Sequence, residues 1–199
     1  DPRLSVVTNN ISHRDGCGRM YRYIETLYRS GPGVVVVSSD QADAYSHVNR
    51  QGAIRAGQSC CLEVEVVMRS LLSKESYHVL QDQQGIKFLR QNNGFDQGCN
   101  MSSAGYCVSS NAALLAAQAA AKAIDPLAEV VSFIDDTYFI GLPQAAAAGR
   151  HTYQQKLSED LQVKENQAKR KCLLGSGVSV ADLPRDLSWC VVPTLDVVG

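Results

Sequence analysis

Four consecutive valines, residues 34–37, limit what this chain can fold into more than any other stretch. A strand turns alternate side chains to opposite faces, so a run with no polar position has no face to give to water. The run must be a central strand, covered on both sides, and it delivers Ser38-Ser39-Asp40 to its C-terminal end. The second constraint is Val130-Val131-Ser132-Phe133-Ile134-Asp135-Asp136-Thr137-Tyr138-Phe139-Ile140-Gly141, two β-branched and aromatic runs separated only by a pair of carboxylates. It reads as a hairpin with acids at its tip. Neighbouring carboxylates repel, and a site that keeps both ionised supplies a cation, most simply a hard one such as Mg²⁺. Each acid also has an ordinary reading: Asp40 as the cap of a following helix, and Asp135-Asp136 as turn chemistry.

With 199 residues, 45% of them hydrophobic, the chain can bury one good core and reads as one domain of two lobes. It holds no run of roughly eighteen apolar residues, so no membrane association is expected. The start, Asp1-Pro2-Arg3-Leu4, has neither an initiator Met nor a signal pattern and reads as part of a longer protein. Seven cysteines, with no CxxC pair, read as reduced thiols of an intracellular protein, nuclear or cytoplasmic. A net charge of −1 gives no global basic footprint and counts against nucleic-acid binding judged on charge alone. A local cluster, Lys164, Lys169, Arg170 and Lys171, is the place where phosphates could still be met.

Along the chain, a short strand is expected at 4–8 within an otherwise loop-like start, and apolar Met20, Tyr23, Ile24 and Leu27 recur at helical spacing up to Arg29. A helical region spans 51–72, strands at 77–81 and 86–90 flank a four-residue hairpin loop ending in Gly85, and a polar loop spans 92–103. An alanine-rich helix covers 104–123, and Pro143 opens a helix to about Leu161 with Tyr153, Leu157 and Leu161 on one face. Strand-like pieces come next at 172–174, 178–180 and 189–192.

The order of short motifs resembles the reverse transcriptases. Asp40, three residues, then Ala44-Tyr45, with Val48-Asn49-Arg50 after it, is similar to their first palm motif. Gly94-Phe95-Asp96-Gln97-Gly98-Cys99 resembles the second, Phe133-Ile134-Asp135-Asp136 the third, and the segment containing Asn166 and, three residues on, Lys169 the fourth. Asp15-Gly16-Cys17-Gly18 and the helix after it are similar to the lead-in of retrotransposons without long terminal repeats. The resemblance implies an α+β polymerase palm, a ferredoxin-like antiparallel sheet packed on helices: partial fingers and lead-in at 1–33, palm at 34–171, and the start of a primer-grip region at 172–199 with the thumb missing.

For chemistry, the same resemblance implies an RNA-directed DNA polymerase core that extends a DNA primer on an RNA template from deoxynucleoside triphosphates. Asp40, Asp135 and Asp136 would ligate two Mg²⁺ or Mn²⁺ ions, and Lys169 would protonate the leaving pyrophosphate. Tyr45 would exclude a 2′-hydroxyl, with Gln97, Gly98, Arg50 and Asn166 completing the nucleotide and template site. The chain departs from the family after Gln97-Gly98: where Pro and Leu-Ser-Pro are common, it has Asn100-Met101-Ser102-Ser103-Ala104. Two other readings stay open, a decayed palm retaining only nucleic-acid binding and another palm-fold nucleotidyl transferase.

Overall fold

Residues Val35–Ser39 form strand β1, the middle of a five-stranded sheet in a computed structural model that describes residues 16–60, 62–96 and 99–197. Helix α1 (Gly16–Arg29) precedes it. After it come strand β2 (Gln41–Ala42), helices α2 (Ala44–His47), α3 (Arg50–Cys60) and α4 (Leu62–Leu72), and strands β3 (Ser76–Asp82) and β4 (Gly85–Gln91). The second half holds helix α5 (Asn100–Lys122), strands β5 (Glu129–Phe133) and β6 (Asp136–Gly141), helix α6 (Pro143–Leu161), strands β7 (Lys164–Glu165) and β8 (Lys171–Leu174), helix α7 (Arg185–Ser188) and strand β9 (Val191–Val192).

The main sheet runs β5-β6-β1-β8-β9, antiparallel throughout except that β9 joins β8 in parallel. Its two faces are covered as the valine run requires. Val35 and Val37 pack with Leu114 and Ala117 of α5 and with Ala146 and Tyr153 of α6. Val36 points the other way, into a smaller cluster with Met20 and Ile24 of α1 and with Tyr138 and Ile140 of β6. Burial of each of these valines contributes about 1.5–3 kcal/mol, an upper figure because the unfolded chain is not fully extended. The mixed α+β, antiparallel-rich architecture is the expected fold class.

Several local expectations change. Helix α5 begins at Asn100, so residues 100–103 are its first turn rather than loop. The helical region 51–72 is two helices, with Cys61 between them outside the described residues. Asp82 pairs with Gly85, which leaves a two-residue loop, and Gly85 at φ 123 is the strand residue just after it. Residues 180–182 form a 3₁₀ turn instead of a strand. The expected strand at 4–8 lies outside the described residues.

Candidate active site

Strand register builds the site. Ser39 pairs with Thr137, so Asp40, the next residue, lies beside the turn that joins β5 to β6. Phe133 pairs with Asp136, and the two-residue tip is therefore Ile134-Asp135 rather than Asp135-Asp136. Asp136 is a strand residue, and the two acids are not equivalent. Ile134 sits at φ 59, a conformation that costs a β-branched residue of order 1 kcal/mol or more and is held only where the surroundings over-determine it. Ser132 helps hold it: its hydroxyl is shared between the carbonyls of Ile134 (3.3 Å) and Asp136 (3.2 Å).

At Asp40 the chain changes partner. Before it, β1 pairs with β8; after it, β2 pairs with β7, Gln41 opposite Glu165. The Asn166 amide donates to the Asp40 carbonyl (2.9 Å), and the single 3₁₀ turn Gln167–Lys169 comes directly after. That turn brings Lys169 Nζ to 3.2 Å from Asp40 Oδ2. The contact is an ion pair without hydrogen-bond direction, since this buried oxygen has no hydrogen-bonded partner.

The three carboxylates feel one another. Burial raises the Asp135 carboxyl, a hydrogen bond within its own residue pulls it down, Asp40 raises it and Lys169 lowers it. Asp136 is pushed up to about 6, first by burial and then by Asp135 and Asp40, again against Lys169. Oxygen donors of this kind suit a hard divalent cation. Among the described residues, however, no three acidic, histidine or cysteine side chains are arranged as a ready set of metal ligands.

Tyr45 lies beside the acids, half-buried on α2, and Asp135 is among the groups that raise its phenol, after burial. Its ring packs on Tyr106 of α5, centroids 5.5 Å apart, and its hydroxyl is 3.1 Å from Ser103 Oγ. The backbone of α2 is pinned from outside: the Phe95 amide donates to the Tyr45 carbonyl and the Gly94 amide to that of Val48, both at 2.8 Å. Gly94, at φ 80, allows this approach, because a Cβ there would stand 2.5 Å from the carbonyl oxygens of Tyr45 and Ser46.

No protein-family model matches the chain, and no curated protein matches it in sequence. Solved structures do. A telomerase from Candida tropicalis truncated from its C-terminal domain superposes with TM-score 0.65 at 13% identity, over 90% of this chain and 38% of that one. A telomerase from Candida albicans in complex with a TWJ fragment of telomeric RNA gives TM-score 0.66 at 12% identity, over 100% of this chain and 34% of that one. The fold is reverse-transcriptase-like. The chain spans little more than a third of the length of these neighbours.

Within this reverse-transcriptase-like fold the sequence-derived residues fall into three groups. Asp40, Asp135, Asp136, Lys169 and Tyr45 come together, with Asn166 beside them through its backbone. Gln97 and Gly98 lie outside the described residues. Arg50 is engaged elsewhere: buried, it donates from Nε to Gly94 O (3.0 Å), from Nη1 to Lys74 O (3.0 Å) and from Nη2 to Ser76 Oγ (2.9 Å). A nucleotide contact would have to break these bonds, so Arg50 is a brace between α3 and the loop that pins α2. The basic cluster does not form one surface either. Arg170 is buried, paired with Glu165 and laid over the Trp189 ring at 5.1 Å, while Lys169 faces Asp40.

Sequence reasoning missed Glu165, whose side chain is 6% exposed and whose two oxygens are both used. Oε1 accepts from the Ser39 hydroxyl (2.8 Å) and Arg170 Nε (3.1 Å); Oε2 accepts from Arg150 Nη1 (2.8 Å) and from Arg170. Arg150 and Arg170 also reach Asp186, by its carboxylate and its carbonyl respectively. This network grips Ser39, the residue before Asp40. One signal was available: Arg150 interrupts the apolar stripe Ala146, Tyr153, Leu157 and Leu161 of α6, and a charge on a buried stripe needs a buried partner.

Proposed function

We propose that the chain is the palm of an RNA-directed DNA polymerase, adding deoxynucleotides to a primer 3′-hydroxyl on an RNA template. The observation that carries the reading is the convergence of Asp40, Asp135 and Asp136 at one sheet end within a reverse-transcriptase-like fold, with Asp40 and Asp135 both close enough to disfavour the ionisation of Asp136. Asp40, Asp135 and Asp136 would hold Mg²⁺ or Mn²⁺, two ions in the polymerase scheme. Such ions activate the attacking oxygen and stabilise the leaving one. The fit rests on donor chemistry and on Asp40 Oδ2, a buried oxygen without a hydrogen bond. Lys169, already at Asp40, would give a proton to the departing pyrophosphate. Tyr45 would pack against the sugar and refuse a 2′-hydroxyl.

The resemblance to retrotransposons without long terminal repeats rests on the glycine-rich lead-in and the motif order alone. RNA as partner is supported by the neighbour that carries telomeric RNA. The division into lead-in, palm and primer-grip start belongs to the same proposal.

The test is primer extension on an RNA template with each divalent metal. Asp135→Asn should lower incorporation by roughly a thousand-fold, the scale of losing one electrostatic group made for the transition state. Unchanged incorporation sinks the metal assignment. A second reading, a palm that binds nucleic acid without catalysis, draws on the ion pair of Lys169 with Asp40, which already offsets one of the three acids. It predicts template binding with no incorporation in the wild-type chain.

A further inference from the structure

Two residues of α5 hold the Tyr45 side chain: Tyr106 packs against its ring and Ser103 meets its hydroxyl. These two residues stand three apart on one helix and so on one face. The backbone below is fixed separately by residues 94 and 95. Tyr106 is fully buried and meets the Tyr45 ring in a tilted contact, 37° between planes, while the hydroxyl at the far end of that ring has its own partner. That partner is Ser103. It lies in the first turn of α5. We infer that Ser103 is a specificity-determining residue: by holding the Tyr45 hydroxyl it fixes the ring as a wall against the nucleotide 2′-position.

The inference rests on the polymerase reading, and goes beyond it in assigning sugar discrimination to a bond rather than to the bulk of Tyr45. With the ring in place but untethered, a ribonucleotide can push it aside. Losing one hydrogen bond of ordinary strength corresponds to a fall of about three- to ten-fold in preference for dATP over ATP.

The experiment measures kcat/KM for dATP and for ATP on a primed RNA template, and in parallel the equilibrium affinity of the chain for each nucleotide. The variants are Ser103→Ala, Ser103→Thr, Tyr45→Phe, Tyr45→Ala and the double variant Ser103→Ala/Tyr45→Phe, with melting curves to confirm folding. Ser103→Ala and Tyr45→Phe should each lower the preference by the same amount, the double variant should lower it no further, and Ser103→Thr should restore it. A preference unchanged in Ser103→Ala, while Tyr45→Ala loses it, overturns the inference and leaves the polymerase reading standing. Additive losses in the double variant overturn it as well. If the full-length protein that carries this chain incorporates neither nucleotide, the polymerase reading falls, and an affinity ratio unmoved by Ser103→Ala then rejects the role of Ser103 independently.

Discussion

Two clusters of charge sit on either side of one peptide bond. On the Ser39 side, Arg150 and Arg170 face Glu165 and Asp186, two positive groups against two negative, all buried but the half-exposed Asp186 and tied by hydrogen bonds. On the Asp40 side, Asp40, Asp135 and Asp136 face Lys169, the one cation among the described residues that enters their electrostatic balance, three negative groups against one positive. The first cluster is complete and the second is left two charges short, the charge of one divalent ion. A balanced cluster can serve only as framework; an unbalanced one retains an unmet demand that a ligand can fill.

The sharpest way to break this contrast is to remove one acid from each side. Glu165→Ala leaves buried Arg170 without a carboxylate and Arg150 with the half-exposed Asp186 only, and should cost about 3 kcal/mol in chemical denaturation. Asp136→Asn removes an acid of the same charge, yet should leave stability at neutral pH equal or higher, because it relieves repulsion. A comparable loss in both variants would end the distinction.

A smaller effect lies in pH. Asp136 titrates near 6 in the fold against an ordinary value of 3.8, so its ionisation is harder in the folded chain than in the unfolded one. Its contribution to stability is therefore full below about pH 4 and is lost as pH rises through about 6. Without divalent ions the wild-type chain should melt at higher temperature at pH 5 than an otherwise flat profile allows at pH 7.5, and Asp136→Asn should remove that slope. Magnesium added at pH 7.5 should recover the loss in the wild type. A slope identical in the two proteins would show that Asp136 does not carry it.

The smallest expected effect is at Lys169, 66% exposed. Lys169→Gln should change stability by no more than about 1 kcal/mol, as for other exposed pairs. It should nevertheless move the pH transition upward, because Lys169 is the group that favours ionisation of Asp135 and Asp136. Nuclear magnetic resonance of the labelled carboxylates would show the shift, and its absence would remove Lys169 from the cluster.

The sheet and the acids were legible because both depend on local pattern. Valines 34–37 have no polar face, and Asp135-Asp136 interrupts a strongly β-forming run. What escaped depends on partners distant in sequence. In the sequence Arg170 reads as one of a basic cluster that could meet phosphates, and only the fold brings it to Glu165 and Trp189. Arg50 looked like a ligand-facing charge after the first motif, whereas its partners come from residues 74, 76 and 94. Even the hairpin tip moved by one residue, because a serine hydroxyl at 132 and a left-handed Ile134 set the reversal, and neither is visible as turn chemistry.

The β3–β4 ribbon bears on handling rather than chemistry. Val79 and Phe88 are cross-strand partners, and they, Tyr77 and Ile86 are all exposed, with no third strand joined to the pair among the described residues. Two-stranded ribbons are marginal by themselves in water. This one should therefore exchange its amide hydrogens and be cut by protease sooner than the five-stranded sheet, and its exposed apolar side chains offer other copies of the chain a surface to stick to.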